Sequence, residues 1–396
     1  MTGPVSRNET AMEIRKRLAF PIAEYRERLR RVRVAMAEQR LDGLLVHTPE
    51  NICYLTGYHT TGYYMFQMLI VPPTGDPVLV TRLIERTNVD GFAWLDDAVA
   101  YADTDDPLAV TAGTLADLGL ARGRVGVERS GWFLSLDRYR QLGTLLTGAE
   151  LVDGSGVIEQ ERAVKSPAEV ARIREAAAIA DQGARAAVEA SRAGRTEQAV
   201  AAHVHRVMIE QGGEYAGLPL FIASGHRTLL VHATWTDKIL EPGDNVLLEL
   251  AGTVARYAAP IFRTLSIGRP SEKLVQSSAV AMEMLEAVID AIRPGISAHD
   301  VDAAAKRAAA RVGMDRGVKK RAGYSVGLNF PPDWGEGHFL ELREGDRTTL
   351  RPGMVFHVPQ TCRVDGYPPA AVSETVLVTE TGHDVLTRFR RELLVV

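Results

Sequence analysis

The chain has 396 residues, 46% of them hydrophobic and 24% charged, with a formal net charge of -4. That is enough apolar content for two sizeable cores, and the near balance of charge, with no stripe of Lys and Arg, argues against a nucleic-acid partner. No apolar run nears the roughly 18 residues of a membrane span, and Cys53 and Cys362 are too few for a disulfide framework and lack metal-site spacing, so a cytoplasmic protein is expected.

Residues 1 to about 20 read as a loose polar arm without a signal-peptide core. Pro21 to Leu41 predicts a helix with Ile22, Tyr25, Leu29, Val32 and Met36 along one face. Leu44 to Val46 predicts a short buried strand, and Gly57 and Gly62 bracket a loop crowded with Tyr58, Tyr63 and Tyr64. Strands are expected at Met65 to Val71, Val78 to Val80 and Val125 to Val127, and a helix at Leu134 to Leu146. Strands alternating with helices make an α/β domain over 1–160. It contains no GxGxxG loop or other phosphate site.

At Val164-Lys165-Ser166-Pro167 the pattern changes. Ser166 caps, Pro167 opens the first turn and Glu169 completes a capping box, so a long Ala-rich helix begins a second domain, 161–396. Two similar units follow. Arg195-Thr196, a helix, Glu241-Pro242-Gly243 and an apolar strand form one; Ile296-Ser297, a helix, Arg351-Pro352-Gly353 and the Met354 to Val358 strand form the other. Facing α/β halves of this kind create a cleft suited to a small molecule. The first hairpin, Glu241 to Gly268, is expected to break at Ala251-Gly252 and carries Glu249 inside an apolar strand. A carboxylate there is either paired with a cation such as Arg256 or Arg263, or does chemistry.

The segments NICYLTGY and VKSPAEVARIR, the paired Pro-Gly hairpins and the closing TVLVTETG together resemble the two-domain pita-bread family of aminopeptidases, Xaa-Pro dipeptidases and creatinase. The resemblance runs from about Pro21 to Thr387. It implies an α/β (α+β) fold: a small N-terminal creatinase-like domain and a C-terminal pita-bread domain of two pseudo-symmetric halves. In the peptidase branch two Asp, one His and two Glu hold two metal ions. Here the corresponding positions are Glu249, Pro260, Tyr324, Pro359 and Ser373, a set that predicts neither metal nor other cofactor.

Within the family the chain resembles the ectoine hydrolase branch. The shared features are Glu249, Arg256-Tyr257 with Pro260, His232-Ala233-Thr234-Trp235, Gly323-Tyr324 and the run Phe330-Pro331-Pro332-Asp333-Trp334-Gly335-Glu336. Phe262 stands where creatinase has a glutamate. The resemblance implies metal-independent hydrolysis of a C–N bond in a small cyclic amidine, opening the ring to an N-acyl diamino acid.

On that reading His232 is the expected general acid and base. Glu249 and Glu374 hold the amidinium, with Glu249 open to a role as base or nucleophile. Trp235, Asp333, Trp334, His357 and Tyr324 are expected to line the substrate, Tyr324 by donating to a carboxylate, and His226 and Arg227 to offer a cation. Each has an alternative: Glu374 as a strand-edge charge, His357 as a hydrogen-bonded core residue, Asp333 and Trp334 as loop packing. The resemblance also implies a homodimer in which Tyr63 and its neighbours on one chain close the other chain's site. A creatinase-like hydrolase of a guanidino or amide compound, a non-enzymatic binding module and a divergent Xaa-Pro metallopeptidase that retains one metal are the alternative functions.

Overall fold

The computed structural model describes residues 14, 16–314 and 320–396, so most of the expected N-terminal arm lies outside the described residues. The chain divides into two units, 1–161 and 162–396. Among the described residues no helix is long and apolar enough to cross a membrane.

The first unit is one sheet flanked by helices. Its strands are β1 (Gly43–Val46), β2 (Met68–Val71), β3 (Val78–Arg82), β4 (Val99–Tyr101), β5 (Arg124–Val127) and β6 (Glu150–Asp153), in the order β4-β3-β2-β1-β5-β6. β1, β2 and β3 run antiparallel and the remaining pairs are parallel. The expected helices appear at Ile22–Glu38 and Leu136–Leu145.

The NICYLT stretch of that unit, placed by sequence ahead of a tyrosine loop, is helical over Pro49–Thr56 and ends on Gly57 at φ 80°. A left-handed residue after the last turn is where glycine stops a helix most easily. Asn51 donates to Glu128 at 2.6 Å and to Glu159 at 2.7 Å, and Glu128 also accepts from the backbone N–H of His47 and Thr48. The motif is thus a satisfied buried polar joint, which holds the helix to the sheet end.

The second unit has the two halves that the repeat predicts. The first half carries helices Pro167–Ala190 and Glu197–Glu210 and the strands β7 (Phe221–Ser224), β8 (Asn245–Val254) and β9 (Tyr257–Ser266). The second carries helices Glu272–Ala291 and Ala298–Arg311 with β10 (Gly323–Ser325), β11 (Glu341–Leu342), β12 (Val355–His357), β13 (Gln360–Cys362), β14 (Ala370–Val372), β15 (Thr375–Val378) and β16 (His383–Val385). β17 (Leu394–Val395) returns to pair with β9.

The correspondence between halves extends to single hydrogen bonds. Thr196 and Ser297 cap their helices through Ala199 N–H and Asp300 N–H, each at 3.1 Å. Gly194 N–H donates to Leu240 O and Gly295 N–H to Leu350 O, both at 2.9 Å. Separate cores sit under the two halves, one around Val246, Leu248, Leu250 and Ile261, the other around Met284, Val288, Phe356 and Val376.

The hairpin does not break where the sequence suggested. β8 runs unbroken through Ala251 and Gly252, and the turn falls at Ala255-Arg256, at φ 50° and 66°. Gly252 is small for another reason: a Cβ there would overlap the carbonyl oxygen of Ala176 on the packed helix. Two positive φ values suit the twist of a two-residue hairpin, at a cost for residues other than glycine. Glu214 offsets it by accepting from Ala255 N–H at 2.9 Å and Arg256 N–H at 3.0 Å, while Arg256 stacks on Tyr215.

Candidate active site

Alternation along β8 decides what faces what. Leu248, Leu250 and Gly252 turn to the helix 167–190, so Glu249 and Ala251 turn to the other face. Glu249 lies beside Phe221 of β7 and Phe262 of β9 as its cross-strand neighbours. Farther along, Ala251 and Ala258 leave a shallow shelf on which Trp334 lies, packed also against Phe221 and Tyr324. The run after the cis Pro331–Pro332 bond delivers Trp334. Asp333 fixes that turn by accepting from Gly335 N–H at 3.0 Å.

The second half brings a hydrogen-bonded chain to the same shelf. Trp334 Nε1–H donates to Tyr324 Oη at 2.9 Å, Tyr324 Oη lies 2.8 Å from His357 Nδ1, and His357 Nε2 lies 2.6 Å from Ser373 Oγ. Tyr324 and His357 are cross-strand neighbours on β10 and β12. Ser373 N–H donates to Phe262 O at 3.1 Å, which ties this half to the strand beside Glu249. Burial and the nearby cations Lys320, Arg321 and Arg263 hold His357 well below its ordinary range. It is therefore neutral at neutral pH and joins Tyr324 to Ser373 with one N–H and one lone pair. Burial and the Glu249 charge keep Tyr324 a phenol.

Glu249 is the exposed nerve of this arrangement. It is half-buried, and no hydrogen bond or ion pair reaches its carboxylate from the described residues. Burial raises it from 4.5 to about 7, against the opposing pull of Lys320 and Arg363. Both suggested partners are engaged elsewhere: Arg256 with Glu214 at 3.6 Å, and Arg263 with Glu374 at 2.7 Å. A carboxylate left half in water without a partner, near its titration point at neutral pH, is suited to take a proton or attack a carbon.

Several expected site residues belong elsewhere. Glu374 follows Ser373 but points the other way. Its buried carboxylate accepts from Arg263 and Thr387, with Arg391 at 3.4 Å, so it is a structural ion pair, not a second site carboxylate. Arg227 is bound to buried Glu197 and donates to Thr234 O at 2.9 Å, which removes it as a substrate cation, and His226 is exposed beside it. Trp235 packs edge-on to His205 at 5.5 Å, against the first half's core. Tyr63, expected to close another chain's site, stands in the N-terminal unit as that expectation requires, edge-on to Phe133 at 5.4 Å.

His232 is exposed at φ 55°, its ring 5.6 Å from Phe221, the neighbour of Glu249. The sequence reading missed Lys320, Arg363 and Phe221, and it marked Ser373 only as a lost metal-ligand position. Period-two alternation from Glu374 could have found Ser373; nothing local marks the others.

The five positions at which the resemblance sets metal ligands do not fit a metal pair. Pro260 and Pro359 have no side-chain donor, Tyr324 and Ser373 are committed to His357, and only Glu249 offers a carboxylate. Among the described residues no group of three or more His, Cys, Asp and Glu could hold an ion.

Two units, the second built from paired α/β halves whose hairpins carry the candidate site, are what this geometry defines. The chain belongs to metallopeptidase family M24, whose pattern it matches over residues 171–380, and residues 28–164 match the creatinase/prolidase N-terminal domain. It is 31% identical to the ectoine hydrolase of Halomonas elongata, over 96% of this chain and 98% of that one. It is 30% identical to an uncharacterized hydrolase/peptidase of Sinorhizobium fredii, over 96% and 99%. Among solved structures it is similar to the dipeptidase PepE of Mycobacterium ulcerans, with a TM-score of 0.82 and 28% identity over 95% of this chain and 99% of that one.

Proposed function

We propose that the chain is a metal-independent hydrolase that opens a C–N bond in a small cyclic amidine, in the manner of an ectoine hydrolase. The observation that carries the reading is Glu249, a carboxylate without a partner among the described residues and raised to about 7, at a position the resemblance assigns to a metal ligand in the peptidases. The 31% identity to an ectoine hydrolase over nearly the whole of both chains supports it.

An amidinium carbon is electrophilic without a Lewis acid, so the chain needs a base or nucleophile and a proton donor. Glu249 serves as the first: it takes a proton from water as the oxygen attacks the amidinium carbon, or it attacks that carbon itself and forms a covalent intermediate that water hydrolyses after the C–N bond has broken, restoring the carboxylate. The tetrahedral adduct collapses with cleavage of one C–N bond, and the leaving nitrogen takes up a proton. His232, on the loop packed against Phe221, is the group we assign to deliver it. The neutral Tyr324–His357–Ser373 chain holds its dipoles fixed around the reacting centre. The homodimer with a lid from the partner's N-terminal domain remains part of the proposal.

The test is incubation of chelator-treated protein with ectoine, hydroxyectoine and creatine, read by mass spectrometry. Addition of one water to ectoine, unaffected by chelator, is the expected result. Turnover that appears only on restoring a divalent metal, or turnover of creatine alone, refutes it.

A further inference from the structure

Two cations stand near Glu249 without an anion of their own. Lys320 is exposed as a residue, but its ammonium reaches Thr361 Oγ1 at 2.9 Å in a partly buried contact. Arg363 is half-buried and donates from Nη1 to Thr228 O at 2.9 Å and to Leu229 O at 3.4 Å. No ion pair joins either to Glu249 or to any other carboxylate among the described residues. Arg321, next in sequence to Lys320, is by contrast paired with Glu341 and stacked on Tyr324. Thr361 lies on β13 and Arg363 directly follows that strand, so the ammonium held by Thr361 Oγ1 and the guanidinium belong to the same short stretch of the second half.

Their donor inventory is largely unspent. An ammonium has three N–H groups and a guanidinium five; within the described residues the ammonium makes one hydrogen bond and the guanidinium two, both from Nη1. Both cations act on Glu249 electrostatically, and burial draws Lys320 down to about 8, with Glu249 opposing. One carboxylate against two such cations leaves positive charge uncompensated in a partly buried place. An anion is the missing component.

We propose that Lys320 and Arg363 form an anion subsite that binds the carboxylate of a zwitterionic substrate while Glu249 meets its cationic amidine. This inference rests on the hydrolase reading above and adds to it the residues that set specificity. It moves the anion-binding role from Arg227, which Glu197 occupies, to the opposite half of the domain. Arg363 has a second duty, since its two carbonyl partners lie on the loop that leads to His232. Lys320 is therefore the cleaner probe.

The experiment compares ectoine with its carboxamide, on the full-length chain, for Lys320→Met, Arg363→Met and Arg363→Lys. Steady-state rates and calorimetric Kd values are both measured, with circular-dichroism melting as the folding control. The expected result is wild-type preference for the acid, and a tenfold or greater rise in KM and Kd for the acid in each Met variant. That corresponds to about 1.4 kcal/mol. Kd of Lys320→Met for the carboxamide should stay within about twofold, and Arg363→Lys should recover part of the loss. If the wild type hydrolyses neither compound but binds the acid better, and the Met variants lose that preference, the hydrolase reading fails and the subsite stands. Equal binding of acid and carboxamide by the wild type, absence of binding to either, or equal weakening of both in the variants overturns the subsite.

Discussion

Replacing Glu249 with Gln tests the site through stability as well as rate. The folded chain raises this carboxyl from 4.5 to about 7, because burial disfavours the ionised form more than Lys320 and Arg363 favour it. The folded state therefore binds the proton more tightly than the unfolded chain does. The resulting stabilisation is complete below pH 4.5 and is lost as pH rises through about 7. At full ionisation the difference corresponds to roughly 3 kcal/mol. Part of this is screened where the carboxylate touches water, which leaves about 2 kcal/mol.

Glu249→Gln removes that penalty. For a domain of this size Tm should rise by roughly 4–8 °C at pH 8 and by little at pH 5. Turnover should fall about 10²- to 10⁴-fold. In the wild type, kcat/KM should rise with pH to a plateau above about 7. The assay is a pair of melting curves for each protein at the two pH values, with rates measured on the same samples. A Tm gain independent of pH, or a loss of stability at pH 8, would refute the claim that Glu249 is a strained, unpartnered carboxylate.

Other perturbations separate site from scaffold. Glu374→Gln should destabilise the fold by about 3–5 kcal/mol because it strands the buried Arg263, and the double change Arg263→Met with Glu374→Met should recover much of it; thermal melts decide, and a catalytic defect without a stability defect would return Glu374 to the site. Ser373→Ala should leave the melting temperature within a few degrees yet lower kcat more than it raises KM, since it frees one end of the His357 chain; unchanged kinetics would make that chain architectural. His232→Ala changes an exposed residue and should cost rate, roughly 10²-fold, without stability. Gly252→Ala should unfold or severely destabilise the second unit, because its Cβ meets the backbone of Ala176; a normal melting curve would show that the helix can withdraw from the hairpin.

The sequence carried the architecture further than the site. The repeat was visible because Pro-Gly turns and hydroxyl caps are local devices, and both halves use them with matching backbone bonds. The turn at Ala255-Arg256 was hidden because neither residue advertises positive φ; the support comes from Glu214, forty-one residues upstream of Ala255. Glu249 stood out as a charge in an apolar strand. Ser373 and Glu374 were confused because neighbours in a strand face opposite ways, and the carboxylate was the more conspicuous of the two. Lys320 and Arg363 gain significance only from the absence of an ion pair, a property that no local pattern records.

The division of labour between halves also bears on how the site can fail. Glu249 rests on one apolar core, while Tyr324, His357 and Ser373 rest on another. Ser373 N–H to Phe262 O is one of the threads between them. Partial opening of either half disassembles the constellation while the other stays folded, so activity should vanish on heating before the main unfolding transition. A bound zwitterion touching both halves acts as a clasp, and tolerance to heat should grow with its concentration.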